Sequence, residues 1–292
     1  MRGYDYTTVG HVTADVLADG SERPGGGAFY SALQAARLGR RARILTQGVP
    51  SQIERLLEPY RSDLELEVRP AAHTTTLSTR WREGTREQRV LAWAGPMQPR
   101  VEVDTAVLHL APVARETAPT WRGRADFVGL TPQGLMRTWS ALGALITRQP
   151  LAAEQLPERC DAIVISRAER DSCGWLLASA PRDSGHAEVA AGYHPLTREA
   201  VIAVTAAAEA TSVYVPGGET LQLAVPHVER SLDDLGAGDV FAAAFFLSLY
   251  DGLPPGAAAA FANAAAAVRV SGAGADAVGR REAIEAQLRA PV

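Results

Sequence analysis

The sequence predicts an α/β protein in which a mostly parallel sheet is covered by helices. Three observations carry that expectation. Short apolar runs of strand character alternate with helical segments along most of the chain, which is the pattern of βαβ units. A glycine turn, Gly25-Gly26-Gly27, opens an alanine-rich helix that stops at Leu38-Gly39, as a helix does when glycine follows its last turn. Residues 74–93 break the rhythm with two polar-alternating strands and read as a hairpin projecting from the sheet.

In order, residues 6–10 and 12–17 read as strands, and the helix of the glycine turn follows. Residues 43–47 form a strand, 53–60 a helix and 64–68 a strand. Residues 74–81 and 89–93 flank Glu83-Gly84 as the hairpin. Strands then recur near 107–110, 126–130, 162–166, 201–205 and 212–215, with helices between most of them. The last fifth is helical over 238–250, 255–270 and 280–288, divided by Pro254-Pro255 and by Gly272-Ala273-Gly274. No fixed-period repeat or charge run marks a linker, so 1–292 reads as one domain with a small extension.

Composition removes several chemistries. All 29 basic residues are arginine. Without lysine there is no Schiff-base or pyridoxal chemistry and no phosphate loop of the G-x-x-x-x-G-K-[ST] type. The 53 alanines, together with arginine in place of lysine, read as codon bias. A chain of 292 residues buries roughly three quarters of its unfolded surface. Its net charge of -4, with both signs interspersed, lacks the basic stripe of a nucleic-acid partner. Cys160 and Cys173 are too few for a disulfide framework and lack metal-ligand spacing, which suits reduced thiols in a cytoplasmic protein. The N-terminus carries no apolar signal region, and the longest apolar run, 240–247, falls well short of the roughly 18 residues of a membrane span. No membrane association is expected.

The most informative stretch runs Asp233-Asp234-Leu235-Gly236-Ala237-Gly238-Asp239 into a helix. Gly236, Ala237 and Gly238 leave the backbone N–H groups of a first helical turn open to an anion, and the helix dipole adds to their pull. Asp239 would project from that turn. A carboxylate beside an anion site suits a general base that takes a proton from a hydroxyl while the amides stabilise a phosphoryl group in transfer. A glycine loop with a helix-favouring Asp is the plainer alternative.

These residues resemble the second signature of the ribokinase-like (PfkB) carbohydrate kinases, D-T-x-G-A-G-D, with Asp234 in place of Thr. The resemblance continues through the chain in the family's order. Pro24-Gly25-Gly26 before the alanine-rich helix looks like the first signature. It implies a ribokinase-like three-layer αβα sandwich, with a β-lid formed by about 12–24 and 73–94. It also implies Asp239 as catalytic base, Gly236, Ala237 and Gly238 as the anion hole, and Asp15, Gly25, Gly26 and Tyr30 at the acceptor. Thr205, Ala207, Asn263 and Gly272 fall at the nucleotide site, and Glu169, in Ser166-Arg167-Ala168-Glu169, at the N-x-x-E position tied to magnesium. ATP and Mg²⁺ are the cofactors so implied. The partners implied are a small polyol and a second copy docked through the lid.

Departures gather on the nucleotide side. Ser166 replaces Asn, and Ala207 and Ala210 replace the glycines of T-x-G-x-x-G. If those positions need positive φ, each alanine costs about 1–2 kcal/mol. Asp234 adds negative charge beside the anion hole, to be offset by a cation or an arginine. Arg167, Arg80, Arg82 and Arg89 are the candidates. Two readings follow: an ATP-dependent polyol kinase, or a diverged member that binds a sugar or nucleoside ligand or releases phosphate.

Residues 110–113 and 129–134 look like a subgroup that includes inositol kinases, and Tyr30 stands where many sugar kinases carry Asn. A cyclitol or nucleoside is therefore implied as readily as a pentose. The six histidines (His11, His73, His109, His186, His194 and His227) show no zinc spacing, and no G-x-S-x-G or G-x-G-x-x-G supports a hydrolase or a dehydrogenase.

Overall fold

Nine of the strands join one sheet in the order β15-β14-β13-β12-β9-β8-β1-β4-β5. These are β1 (Tyr4–Val9), β4 (Ala42–Gly48), β5 (Leu64–Pro70), β8 (Val101–Leu110), β9 (Trp121–Leu130), β12 (Ala162–Ser166), β13 (Val201–Ala206), β14 (Glu209–Tyr214) and β15 (Thr220–Leu223). Neighbours are parallel from β5 through β13, and β14 and β15 are added antiparallel. The structure, a computed structural model, describes residues 3–82, 85–97, 101–177 and 199–289, with the side chains of 81, 82, 85 and 86 left out. The expected turn at Glu83-Gly84 and the side chain of Arg82 lie outside the described residues.

A second, four-stranded sheet stands off the first in the order β3-β2-β6-β7, from β2 (Thr13–Val16), β3 (Glu22–Gly25), β6 (Thr76–Arg82) and β7 (Thr85–Ala92). The hairpin expected at 74–93 is half of it. Strand β3 escaped sequence reading because Pro24 and two charged residues fill it, a composition tolerated at an edge. Its pairing sets Asp15 opposite Arg23, and the parallel pairing of β2 with β6 sets Asp15 opposite Leu77. The outer edge of β7 meets residues 143–146, through the bridge Arg89–Leu145 and the bonds Gly143 N–H to Val90 O and Ile146 N–H to Gln88 O. That contact blunts an otherwise open edge.

Helices α1 (Gly27–Arg37), α4 (Ala237–Tyr250) and α5 (Pro255–Val270) cover one face of the large sheet, with α2 (Pro50–Leu57) and α6 (Arg281–Arg289) at its margin. Alanine has a packing role there. Ala242, Ala243 and Ala244 of α4 and Ala258, Ala259, Ala262, Ala264 and Ala265 of α5 are fully buried, so small side chains let these helices pack closely while Phe241, Phe245 and Phe246 fill the space to the sheet. On the opposite face a second core gathers Val9, Leu108, Leu130, Ile163 and Ile165.

The helices expected between most strands from 107 to 215 are not found among the described residues. Short helical turns and α3 (Arg170–Cys173) stand in their place, with the two-residue strands β10 (Arg137–Thr138) and β11 (Thr147–Arg148). Pro112, Pro119, Pro132, Pro150 and Pro157 interrupt the chain there, and each removes an amide donor that a helix interior would need. Strands β8 and β9 also begin earlier than the apolar runs suggest. Glu102, Asp104, Arg122 and Arg124 in their first halves point outward.

One buried polar bridge crosses the sheet. His109, on β8, meets the Tyr6 hydroxyl at 2.9 Å through Nδ1 and the Thr131 hydroxyl at 3.0 Å through Nε2, with Phe246 edge-on at 4.9 Å. Burial pushes the imidazole down to about 3 from 6.5. The folded chain therefore refuses a proton that the unfolded chain accepts between those values, and stability is lost as pH falls from 6.5 toward 3, by about 1.4 kcal/mol per pH unit. Urea denaturation at pH 7 and pH 5 should show a loss of about 2 kcal/mol from this group. In His109→Gln the difference between the two pH values should shrink by that amount.

Candidate active site

The 233–239 segment is shaped by its own sequence. Ala237 N–H donates to Asp234 O at 3.2 Å, closing a turn in which Gly236 takes φ 79° and ψ 0°. Those are the angles of the third position of a type II turn, where glycine is favoured. A methyl group on Gly236 would also stand 2.3 Å from Cγ of Tyr30, so both backbone and packing demand glycine. Helix α4 starts at Ala237 immediately afterwards. Of the three residues expected to form an anion hole, Ala237 has its amide engaged in the turn, whereas Gly238 faces open space, with no heavy atom within 4 Å of where its Cβ would be.

Asp239, in the first turn of α4, lies against the first residue of α1: a Cβ on Gly27 would be 2.9 Å from Asp239 Oδ1. Its backbone carbonyl accepts the Ser31 hydroxyl at 3.1 Å. Two helix N-termini thus converge on one carboxylate, and both dipoles favour its charged form. Gly25, two residues away, is pressed more closely still by Asp15, whose Oδ2 would be 2.3 Å from a Cβ there. Gly26 between them caps α1 at φ 92°. The glycine run therefore threads between two carboxylates, just beyond the carboxyl ends of β1 and β8, the place where open α/β sheets bind ligands. Asp15 is held by the Thr13 hydroxyl at 2.8 Å. It lines a cleft of about 460 Å³ with Arg23, Thr79 and residues 231–235.

Tyr30, expected at the acceptor, instead is 1% exposed and packs beneath Gly236. Burial raises its hydroxyl pKa against the lowering charge of Arg269.

Of the residues expected at a nucleotide, Asn263 is bonded within the protein, whereas Ala207 is exposed on a turn. Strands β13 and β14 are joined by a two-residue turn in which Ala207 takes φ 53°. Ala210 is an ordinary β14 residue whose φ is not positive, so strain is incurred at one of the two positions and not at both. Thr205 donates weakly to Ile165 O at 3.4 Å. Asn263 is buried: its Oδ1 accepts the Thr211 hydroxyl at 2.8 Å and its amide donates to Ala224 O at 3.1 Å, tying α5 to the antiparallel strands. A Cβ on Gly272 would be 2.6 Å from that of Ala277. Glu169 uses one oxygen to accept Ser166 N–H at 2.8 Å and the other to accept the Gln133 amide at 3.0 Å. Among the described residues no three of His, Cys, Asp and Glu gather to hold a metal ion. Glu169 and Asn263, assigned to Mg²⁺ and ATP, thus both bond within the protein.

Residues 146–280 match the family model described as pfkB family carbohydrate kinase. None of the curated proteins matches the sequence. Solved structures match over nearly the full length. One is a pyrophosphate-dependent kinase of the ribokinase family complexed with a pyrophosphate analog and myo-inositol, with a TM-score of 0.70 at 20% identity over 96% of this chain and 99% of that one. Another is the Methanocaldococcus jannaschii nucleoside kinase, 0.70 at 16% over 98% of each chain. A third is the Arabidopsis thaliana ribokinase complexed with ribose and ATP, 0.66 at 15% over 99% of each. The chain has the ribokinase fold.

The cations beside the 233–236 loop are not those expected. Arg167 pairs with Glu209 at 2.6 Å, and Arg89 reaches Gly143 O at 3.0 Å. The loop is met instead by Arg23 from β3 and Arg269 from α5, each 3.0 Å from Asp233 Oδ2. Asp233 Oδ1 accepts Leu235 N–H at 3.0 Å. Burial works against its charge, but that amide and the two arginines hold the carboxyl below its usual range. Glu116 was also missed. Buried, it accepts N–H groups of His11, Val113 and Ala114, and so ties together the chain after β1 and after β8. The first Asp of the signature could have pointed to Asp233, but no local pattern marks Arg23, Arg269 or Glu116.

Two substitutions should act with opposite signs. Ala207→Gly relieves the left-handed alanine and should raise unfolding free energy by about 1 kcal/mol. Gly236→Ala adds both φ strain and collision with the Tyr30 ring and should lower it by about 2 kcal/mol or more. Urea denaturation of the two variants beside the parent measures both.

Proposed function

We propose that this chain is a small-molecule kinase that transfers a phosphoryl group to a hydroxyl of a polyol bound in the cleft beneath the small sheet. The observation that carries it is Asp239 at the meeting point of two helix N-termini, next to a glycine that opens to space. A hydroxyl directed at Asp239 gives up its proton to the carboxylate as its oxygen bonds to phosphorus. The bond from phosphorus to the donor's bridging oxygen breaks, and the donor leaves as the shortened phosphate. The first turn of α4 supplies partial positive charge to the group in flight. Asp15 accepts hydrogen bonds from other hydroxyls of the acceptor and orients it.

ATP with Mg²⁺ is the donor that the sequence implies, and ribokinase in complex with ATP is among the structural neighbours. A second donor is favoured by a specific observation: Asn263, where a nucleoside would be received, is taken up by hydrogen bonds within the protein, and Ala207 puts a methyl group on a left-handed turn where the family pattern has glycine. Inorganic pyrophosphate needs no such contacts, and a neighbour with a TM-score of 0.70, against 0.66 for that ribokinase, is a pyrophosphate-dependent kinase. Either donor would bring its divalent cation bound largely through its own phosphate oxygens.

Transfer from ATP and from pyrophosphate, each with Mg²⁺, should be assayed against pentoses, hexoses, inositols and nucleosides. Transfer to at least one acceptor is expected, with pyrophosphate the better donor; absence of transfer with either donor across the panel ends the proposal. Asp239→Asn should lower kcat by at least about 10²-fold with the fold intact by circular dichroism.

A further inference from the structure

Resting on the kinase reading above, we propose that Arg269 is a positioning residue: a built-in buried cation that holds the 233–236 loop in the shape that presents the first turn of α4 to phosphate. Its side chain is fully buried and does not line the cleft, so it acts through other groups. The guanidinium fork meets three oxygens on two separate segments. Nη1 donates to Asp233 O at 3.1 Å and Gly272 O at 3.2 Å, and Nη2 donates to Asp233 Oδ2 at 3.0 Å. The guanidinium carbon also stands 5.3 Å from the Tyr30 ring centre.

Each of these partners leads to Gly236. Asp233 fixes Leu235 N–H, the residue before it. Tyr30 is the surface against which Gly236 is pressed. The 270–274 segment is joined to the loop a second and third time, by Leu232 N–H to Val270 O at 2.8 Å and by Gly274 N–H to Asp233 Oδ2 at 3.1 Å. Arg23 reaches the same carboxylate oxygen from the small sheet, so closure of that sheet over the cleft and the posture of the loop share one carboxylate. A buried ion pair contributes little stability compared with apolar packing of the same volume. What a planar fork does supply is a fixed geometry among several acceptors, which a lysine's point charge cannot reproduce.

The test uses Arg269→Lys and Arg269→Ala, confirmed as folded at the assay temperature by circular dichroism. Calorimetry with inorganic pyrophosphate and with ATP, and kcat against acceptor KM, are the readouts. Misplacement of the loop by an ångström or less should lower kcat on the order of 10²-fold. Donor affinity should fall about tenfold and acceptor KM should stay within about threefold. Millimolar guanidinium, well below denaturing concentration, should restore much of the loss in Arg269→Ala and none in Arg269→Lys. Folded variants that bind donor and turn over like the parent, or that guanidinium fails to rescue, overturn the role. If neither variant folds, the neutralised pair Asp233→Asn with Arg269→Gln replaces them, and parental affinity and kcat in that pair overturn it equally. A parent that binds donor without transferring phosphate ends the kinase reading while donor affinity still decides Arg269. A parent that binds no donor ends both.

Discussion

The carboxylate of Asp233 is the point on which the rest of the site depends. It lies mostly out of water and is compensated by two guanidinium groups from opposite sides, one on the edge strand of the small sheet and one at the end of α5. Removing either cation would leave charge poorly compensated in a region with little solvent, a larger penalty than the pair's net contribution to stability. One consequence is that the turn ending in Gly236 has its conformation dictated from three directions: by Asp233 through Leu235, by its own turn bond, and by the Tyr30 ring. The first turn of α4 inherits its orientation from that constraint.

The same economy governs the two carboxylates beside the glycine run. Asp15 and Asp239 approach the backbone of Gly25 and Gly27 more closely than any side chain there would allow. The glycine run is therefore what lets the Asp15 and Asp239 carboxylates both close on one short stretch of chain. Two residues of chain span at most about 7 Å. The convergence of α1 and α4 on Asp239 favours its ionised form by dipole, the form that a base requires.

Away from the site, the fold answers the alanine content differently from composition alone. Alanine in α4 and α5 lets three helices lie close over the sheet while three phenylalanines of α4 fill the gap beneath. Whatever the mutational origin of so many alanines, those in these two helices are held in place by packing, because an added methylene in a close-packed interior forces its neighbours to move.

The sequence by itself determined the elements whose causes are local. Apolar runs marked the parallel strands, and glycine turns marked where α1 and α4 begin. The resemblance to T-x-G-x-x-G raised positive φ at both Ala207 and Ala210, and only Ala207, in the turn itself, adopts it. Tertiary structure decided what depends on partners far apart in the chain. Charged alternation hid the first halves of β8 and β9, and β3 looked like a loop until β2 paired with it. Tyr30 and Asn263 looked like ligand contacts but turned inward to Gly236 and Thr211. Arg23 and Arg269 carried no local mark, because each acquires its role only on meeting Asp233, 210 and 36 residues away, and a long-range ion pair has no period or spacing to read.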